Sequence, residues 1–204
     1  MRYLLFSDIH RDIDACADLV KLSNDADIVI GAGDFCTMHR GLDRVFEVLS
    51  AIDKPTVLVP GNSETVQELS EASRGWESAQ VLHGSGTSIQ GRSFYGLGGG
   101  VPVTPLGDWS WDFTEVEATR LLARCPRGAI LVSHSPPRGV VDSTSSGESV
   151  GSTAVMNCIR EKTPTLVVCG HIHDCWTRIE QTGSTMVVNA GPAGILLEQS
   201  DGRE

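Results

Sequence analysis

The sequence predicts an α/β fold, and three observations carry that reading. Strand, turn and helix patterns alternate through its first part. The early apolar runs stop abruptly at Ser-Asp, Gly-Ala-Gly-Asp and Pro-Gly-Asn. Closely spaced strand-like segments, readable as antiparallel pairs, follow later. Helices alternating with strands, with antiparallel pairs added, define an α/β architecture with mixed sheets.

Taken in order, residues 2–6 form a short apolar strand and 12–24 a helix with Ala15, Leu19, Val20 and Leu22 on one side. A second strand over 27–31 leads to a helix over 42–52, where Leu42, Val45, Phe46, Leu49 and Ile52 recur at helical spacing. A third strand spans 56–59, then a short helix 64–73 and a short strand 81–82. Residues 88–97 suit a hairpin turning at Gln90-Gly91-Arg92, followed by a Gly/Pro-rich loop over 98–107. Thr114 and Glu117 have capping-box spacing at the head of a helix over 114–124. A strand over 129–132, a polar loop over 136–151, a helix over 152–162 and a strand over 165–169 come next. The tail reads as paired strands, 177–180, 185–188 and 195–198.

The chain has 204 residues, which suits one domain spanning 1–204. A net charge of −10 disfavours long nucleic acid as a partner, because duplex binding needs a basic face. It leaves room for a small phosphate ester, since bound cations supply local positive charge. No apolar run approaches the ~20 residues of a membrane span, and no secretory leader is evident. The six cysteines make no C-x-x-C pair, so they read as reduced, mostly buried thiols of a cytoplasmic protein. The run Gly96 to Gly100 lacks the spacing of a dinucleotide loop, and there is no Walker A lysine motif.

Five segments carry the chemistry: Asp8-Ile9-His10, Gly33-Asp34, Gly61-Asn62, His134 and Gly170-His171-Ile172-His173. Each follows a predicted strand, so each delivers its side chain to the carboxyl edge of a sheet, where α/β folds bind ligands. In extended backbone, residues two apart point the same way, so Asp8 with His10, and His171 with His173, are expected to reach together. Four imidazoles, two carboxylates and one amide form a mixed N/O donor set, suited to Mn, Fe or Zn over Mg or Ca. Eight ligand positions arise if one carboxylate bridges two ions, and two metals about 3.5–4 Å apart suit in-line displacement at phosphorus. Singly, each Asp reads equally well as a turn former and each His as a surface or core residue. Six at successive strand ends do not.

The ordered set D-x-H, G-D, G-N, H and G-H-x-H resembles the signature of the calcineurin-like metallophosphoesterases, from Asp8 to His173. Gly33-Asp34-Phe35, Ser133-His134-Ser135-Pro136-Pro137 and Gly147 to Gly151 resemble its smaller bacterial members. The resemblance implies a four-layer α/β/β/α sandwich. It implies that Asp8, His10 and His173 bind one metal, that Asn62, His134 and His171 bind the second, and that Asp34 bridges. It also implies two divalent transition metal ions, with Mn expected and Fe, Zn or Ni as alternatives. The nucleophile would be a hydroxide bridging them, with Asp34, Asn62 and His134 as the catalytic set and Asn62 steadying the phosphate oxygens.

One departure matters. The family usually reads G-N-H-[DE], and that His assists the leaving group; here the segment is Gly61-Asn62-Ser63-Glu64. Serine is a poor acid at neutral pH, and a positioned general acid contributes about 10²–10⁴-fold. Ser63 suits equally a cap on the helix that follows. His39 or His83 is a candidate replacement acid. Asp108, Trp109, Trp111 and Asp112 read as a hydrophobic plug over the core, with a substrate-lining role as the alternative.

Three functions compete. The first is a phosphodiesterase on small or nucleotide-like esters. The second is a phosphomonoesterase or nucleotide pyrophosphatase, and the third a binding or scaffold protein that lost activity on the same fold. Loss of ligands would mark the third, and all seven ligand positions are filled. Oligomeric state is not legible.

Overall fold

The architecture follows from strands that are apolar on both faces. In the computed structural model, which describes residues 1–199, strand β1 (Arg2–Phe6) is buried at four of five positions and β2 (Ile28–Gly31) at all four. Such strands need cover on both sides. Tyr3, Leu5, Ile28, Ile30, Val57 and Val59 face a second sheet through Phe94, Ile130, Val132, Leu166, Val168 and Val188. The alternate residues Leu4, Phe6, Val29 and Leu58 face helices. Each fully buried Leu, Ile or Phe contributes roughly 1.5–3 kcal/mol, so the inter-sheet layer is a principal source of stability.

The first sheet has the order β11-β1-β2-β3-β4, where β3 is Thr56–Leu58, β4 Ala79–Val81 and β11 Ile195–Glu198. Strands β1 to β4 are parallel, and β11 adds antiparallel to β1, with Arg2 opposite Glu198. The second sheet runs β5-β6-β7-β8-β10-β9, comprising Ser85–Ile89, Arg92–Leu97, Ile130–Ser133, Leu166–Cys169, Thr185–Asn189 and Ile179–Thr182. Its four central strands are parallel and its edges antiparallel. Helices α1 (Ile13–Ser23), α2 (Leu42–Leu49) and α3 (Val66–Ala72) cover the first sheet. Helices α4 (Glu115–Leu122) and α5 (Thr153–Lys162) cover the second. The result is the expected four-layer α/β/β/α sandwich with mixed sheets.

Two sequence expectations need correction. The tail strands do not all pair with one another: β9 and β10 do, but β11 crosses to the first sheet and covers β1. Helix α3 starts at Val66, not at residue 64, and Ser63 does not cap it. Thr65 is the cap, and Thr65 with Glu68 completes a capping box that outcompetes the earlier start. The Thr114–Glu117 box forms as expected. Residues 200–204 of the expected 1–204 domain lie outside the described residues. All six cysteines are free and buried. Among the described residues no helix is long and apolar enough to cross a membrane.

Candidate metal centre

Every predicted ligand sits just past the carboxyl end of a parallel strand: Asp8 and His10 after β1, Asp34 after β2, Asn62 after β3, His134 after β7, and His171 with His173 after β8. The two sheets stack with those ends together, so all seven residues meet at one edge. Extended alternation does not aim them, contrary to the sequence reading. Asp8, His10, Asp34 and His171 all have positive φ, between 46° and 67°. Ligand loops turn sharply out of their strands, and non-glycine residues held there cost about 1–3 kcal/mol each, strain that collects at functional sites.

The donors converge in two groups that share Asp8. Ligand atoms of Asp8, His10 and His173 lie within 4.8 Å of one another, as do those of Asp8, Asp34 and His134. Asp34 faces both sides: Oδ2 is 3.5 Å from His10 Nε2 and Oδ1 is 3.5 Å from His134 Nε2. Asn62 Oδ1 is 3.1 Å from His134 Nε2. His171 stands further off. Its ring packs edge-on against His134, centroids 4.9 Å apart, and its backbone N–H donates to Asp8 Oδ1 at 3.0 Å.

The remaining hydrogen bonds fix which atoms point inward. His10 Nδ1 donates to the Cys36 carbonyl at 3.2 Å and His134 Nδ1 to the Ala32 carbonyl at 2.8 Å, so both Nε2 lone pairs face the centre. Asn62 Nδ2 donates to Ser110 Oγ at 3.0 Å, which aims Oδ1 at His134. Consequently Asn62 Oδ1 and His134 Nε2 present lone pairs to each other, and His10 Nε2 lies 3.3 Å from His173 Nε2. Facing lone pairs are relieved by a shared proton or a cation. The donor set therefore fits the pair of divalent cations inferred from the sequence.

Electrostatics agree. Burial alone would raise the Asp8 carboxyl, but His173, whose Nε2 lies 3.7 Å from Oδ1, and the neighbouring His134 outweigh it and hold it below the usual carboxylate range. Desolvation works against a charged His134, and Asp34 and Asp8 reverse that, so this site attracts positive charge. His173 is raised, first by the Asp8 carboxylate beside it. His171 is pushed down to about 4, by desolvation and then by His134, which keeps its ring neutral and able to ligate.

Several residues that build the site went unseen in the sequence. Fully buried Glu64 accepts backbone N–H groups from Asp34 (2.8 Å), Gly61 (2.7 Å), Cys36 (3.2 Å) and Phe35 (3.3 Å), tying two ligand loops together. Burial, then Asp34, pushes its carboxyl up to about 7. Ser7 Oγ (2.6 Å) and Trp176 Nε1 (3.2 Å) donate to Asp8 Oδ2, and the Trp176 ring lies 4.4 Å from that of His173. The loops also approach too closely for side chains. A Cβ at Gly61 would overlap the Asp34 carboxylate, and one at Gly33, whose φ is 93°, would meet His134 Nδ1 at 2.7 Å.

The remaining candidates have partners of their own. Ser63 is buried, and its backbone N–H donates to Asp34 Oδ1 at 2.9 Å. His39 bonds Glu68 through Nδ1 and the Trp109 carbonyl through Nε2, so both nitrogens are engaged. His83 accepts from the Gly98 N–H and packs on Trp111 and Phe113. The expected plug at 108–112 is instead a brace for Asn62. Trp111 N–H donates to the Asn62 carbonyl, and Ser110 Oγ donates onward to Asp112 at 2.7 Å.

A layered sandwich with a histidine- and aspartate-rich centre at its strand ends defines the class: a metal-dependent phosphoesterase. The chain belongs to the family described as the calcineurin-like phosphoesterase superfamily domain, which it matches over residues 1–202. That family implies a dinuclear divalent metal centre and phosphate-ester substrates. Solved structures share the fold. The protein TT1561 of Thermus thermophilus is 21% identical with a TM-score of 0.73, over 94% of this chain and 90% of its own. A dimetal phosphatase from Danio rerio is 15% identical with a TM-score of 0.61, over 95% and 88%. Phosphopantetheinyl hydrolase from Mycobacterium tuberculosis is 13% identical with a TM-score of 0.60, over 93% and 88%. No curated protein matches the chain.

Proposed function

We propose that this chain is a single-domain phosphodiesterase acting on small or nucleotide-like esters. Asp8, His10 and His173 would hold one divalent cation and Asn62, His134 and His171 a second, with Asp34 shared between them. Mn is the first choice for this nitrogen–oxygen set, with Fe, Zn and Ni as the alternatives. When bound, the pair supplies Lewis-acid chemistry at phosphate oxygens and lowers the pKa of water. The chain's own residues do the positioning. Asp34 spans the two halves, and Ser110 holds the Asn62 amide with its oxygen inward. Buried thiols and an acidic surface suit the cytoplasm and a small-molecule partner.

The observation that carries the diester reading is Ser63. It occupies the position where the family usually has its acid; of the two other histidines considered for that role, His39 is engaged at both ring nitrogens by Glu68 and Trp109, and His83 is held through Nδ1 by Gly98 and packed on Trp111 and Phe113. Without an acid, hydrolysis depends on a good leaving group and on a substrate of lower charge than a monoester dianion. The test is metal-stripped protein reconstituted with Mn and assayed on p-nitrophenyl phosphate, bis-p-nitrophenyl phosphate and a cyclic nucleotide. Preference for the diesters is expected. Preference for the monoester would replace this reading with a phosphomonoesterase. Two bound metals with no cleavage of any ester would indicate a binding protein.

A further inference from the structure

Beside the metal centre lies a cavity of about 420 Å³. His171, one of the candidate ligands, forms part of its wall, so the cavity borders the centre. Its other walls come from the loop after β6, through Val101, Val103 and Leu106, and from Val150 on the long loop before α5. Val103 and Leu106 are 58% and 49% exposed, a heavy solvent exposure for aliphatic side chains. Arg138 and Glu148, one of each charge, also line it.

We infer that this cavity binds the organic group of the phosphoester, and that the group is bulky and apolar. The inference rests on the phosphoesterase reading for the identity of the phosphate end. Four features support it. A phosphate at the centre would place a substituent within reach of the His171 wall. An apolar cavity of about 150 Å³ suffices for benzene, so the space admits an aryl or branched alkyl group of two-ring size. The lining is mostly aliphatic and rewards area removed from water, so the main selection is for hydrocarbon surface, with Thr104, Ser149, Arg138 and Glu148 as its polar positions. Placing a substituent there would also cover Val103 and Leu106.

The test compares binding of phenylphosphonate and methylphosphonate to the Mn-loaded protein by calorimetry. The phenyl compound is expected to bind roughly tenfold or more tightly. In the double variant Val103→Ser with Leu106→Ser, that ratio should fall toward one while methylphosphonate affinity stays within about twofold. Both positions are exposed, and circular dichroism verifies the fold; the single variant Leu106→Ser stands in if the double variant fails to fold. Equal affinity for the two phosphonates, or a ratio that the serines leave unchanged, overturns the proposal. Hydrolysis of p-nitrophenyl esters measured in parallel keeps the two readings apart. Cleavage without phosphonate selectivity removes the pocket and leaves the enzyme; selectivity without cleavage does the reverse.

Discussion

Glu64 accepts the backbone N–H of Asp34 at 2.8 Å, and neither residue is exposed beyond 3%. The carboxylate that shapes the centre thus need not be one that touches a metal. Through Gly61 it holds the Asn62 loop in the same grip.

Replacing Glu64 with Gln therefore puts an amide NH₂ where backbone N–H groups need an acceptor. We expect a loss of about 2–3 kcal/mol of stability. Mn affinity should fall by about 10–100-fold, as for other outer partners of ligands. Denaturant unfolding of the metal-free protein and Mn titration separate the two effects. A variant with native Mn affinity would show that the loops hold their shape without this acceptor.

Ser63→His restores the family's usual acid. Turnover of alkyl esters, whose leaving groups are poor, should rise by about tenfold or more, while p-nitrophenyl esters change little. The slope of log kcat against leaving-group pKa reads this directly. An unchanged slope would mean that position 63 cannot deliver a proton.

Ser110→Ala releases the Asn62 amide to rotate. Affinity for the second Mn ion should drop about tenfold, and Ser110→Thr should recover part of it. Two-site calorimetry distinguishes this from a general loss of fold, which would weaken both sites.

His83 is pushed down to about 4 by burial, and its Nδ1 accepts the Gly98 N–H, so the folded ring is neutral. The unfolded ring takes up a proton near pH 6.5. The contribution is therefore complete above pH 6.5 and is lost as pH falls toward 4. Allowing for solvent around a partly exposed ring, the loss is about 1–2 kcal/mol. Unfolding free energies at pH 7 and pH 4 should differ by that much less in His83→Gln than in the parent.

Much of the site was legible because its ligands are chemically conspicuous and each ends a strand. What escaped was the support. The Ala32 and Cys36 carbonyls carry no side-chain signal, and Trp176 and Ser7 reach Asp8 only through the fold. Glu64 is invisible to propensity because its partners are backbone groups, most of them about thirty residues away. The α3 start was readable: Thr65 and Glu68 stand three apart, the spacing recognised correctly at Thr114 and Glu117. The route of β11 was not, since an apolar tail strand carries no mark of which sheet it will join.

That route bears on synthesis. Strand β1 presents one edge to β2 and the other to β11, whose pairing begins 195 residues into the chain. A growing polypeptide must carry β1, and the Asp8 loop attached to it, with an unpaired edge until every other strand of both sheets has left the ribosome. Such an edge invites pairing with neighbouring chains, so translation speed and chaperone supply bear on the yield of this protein.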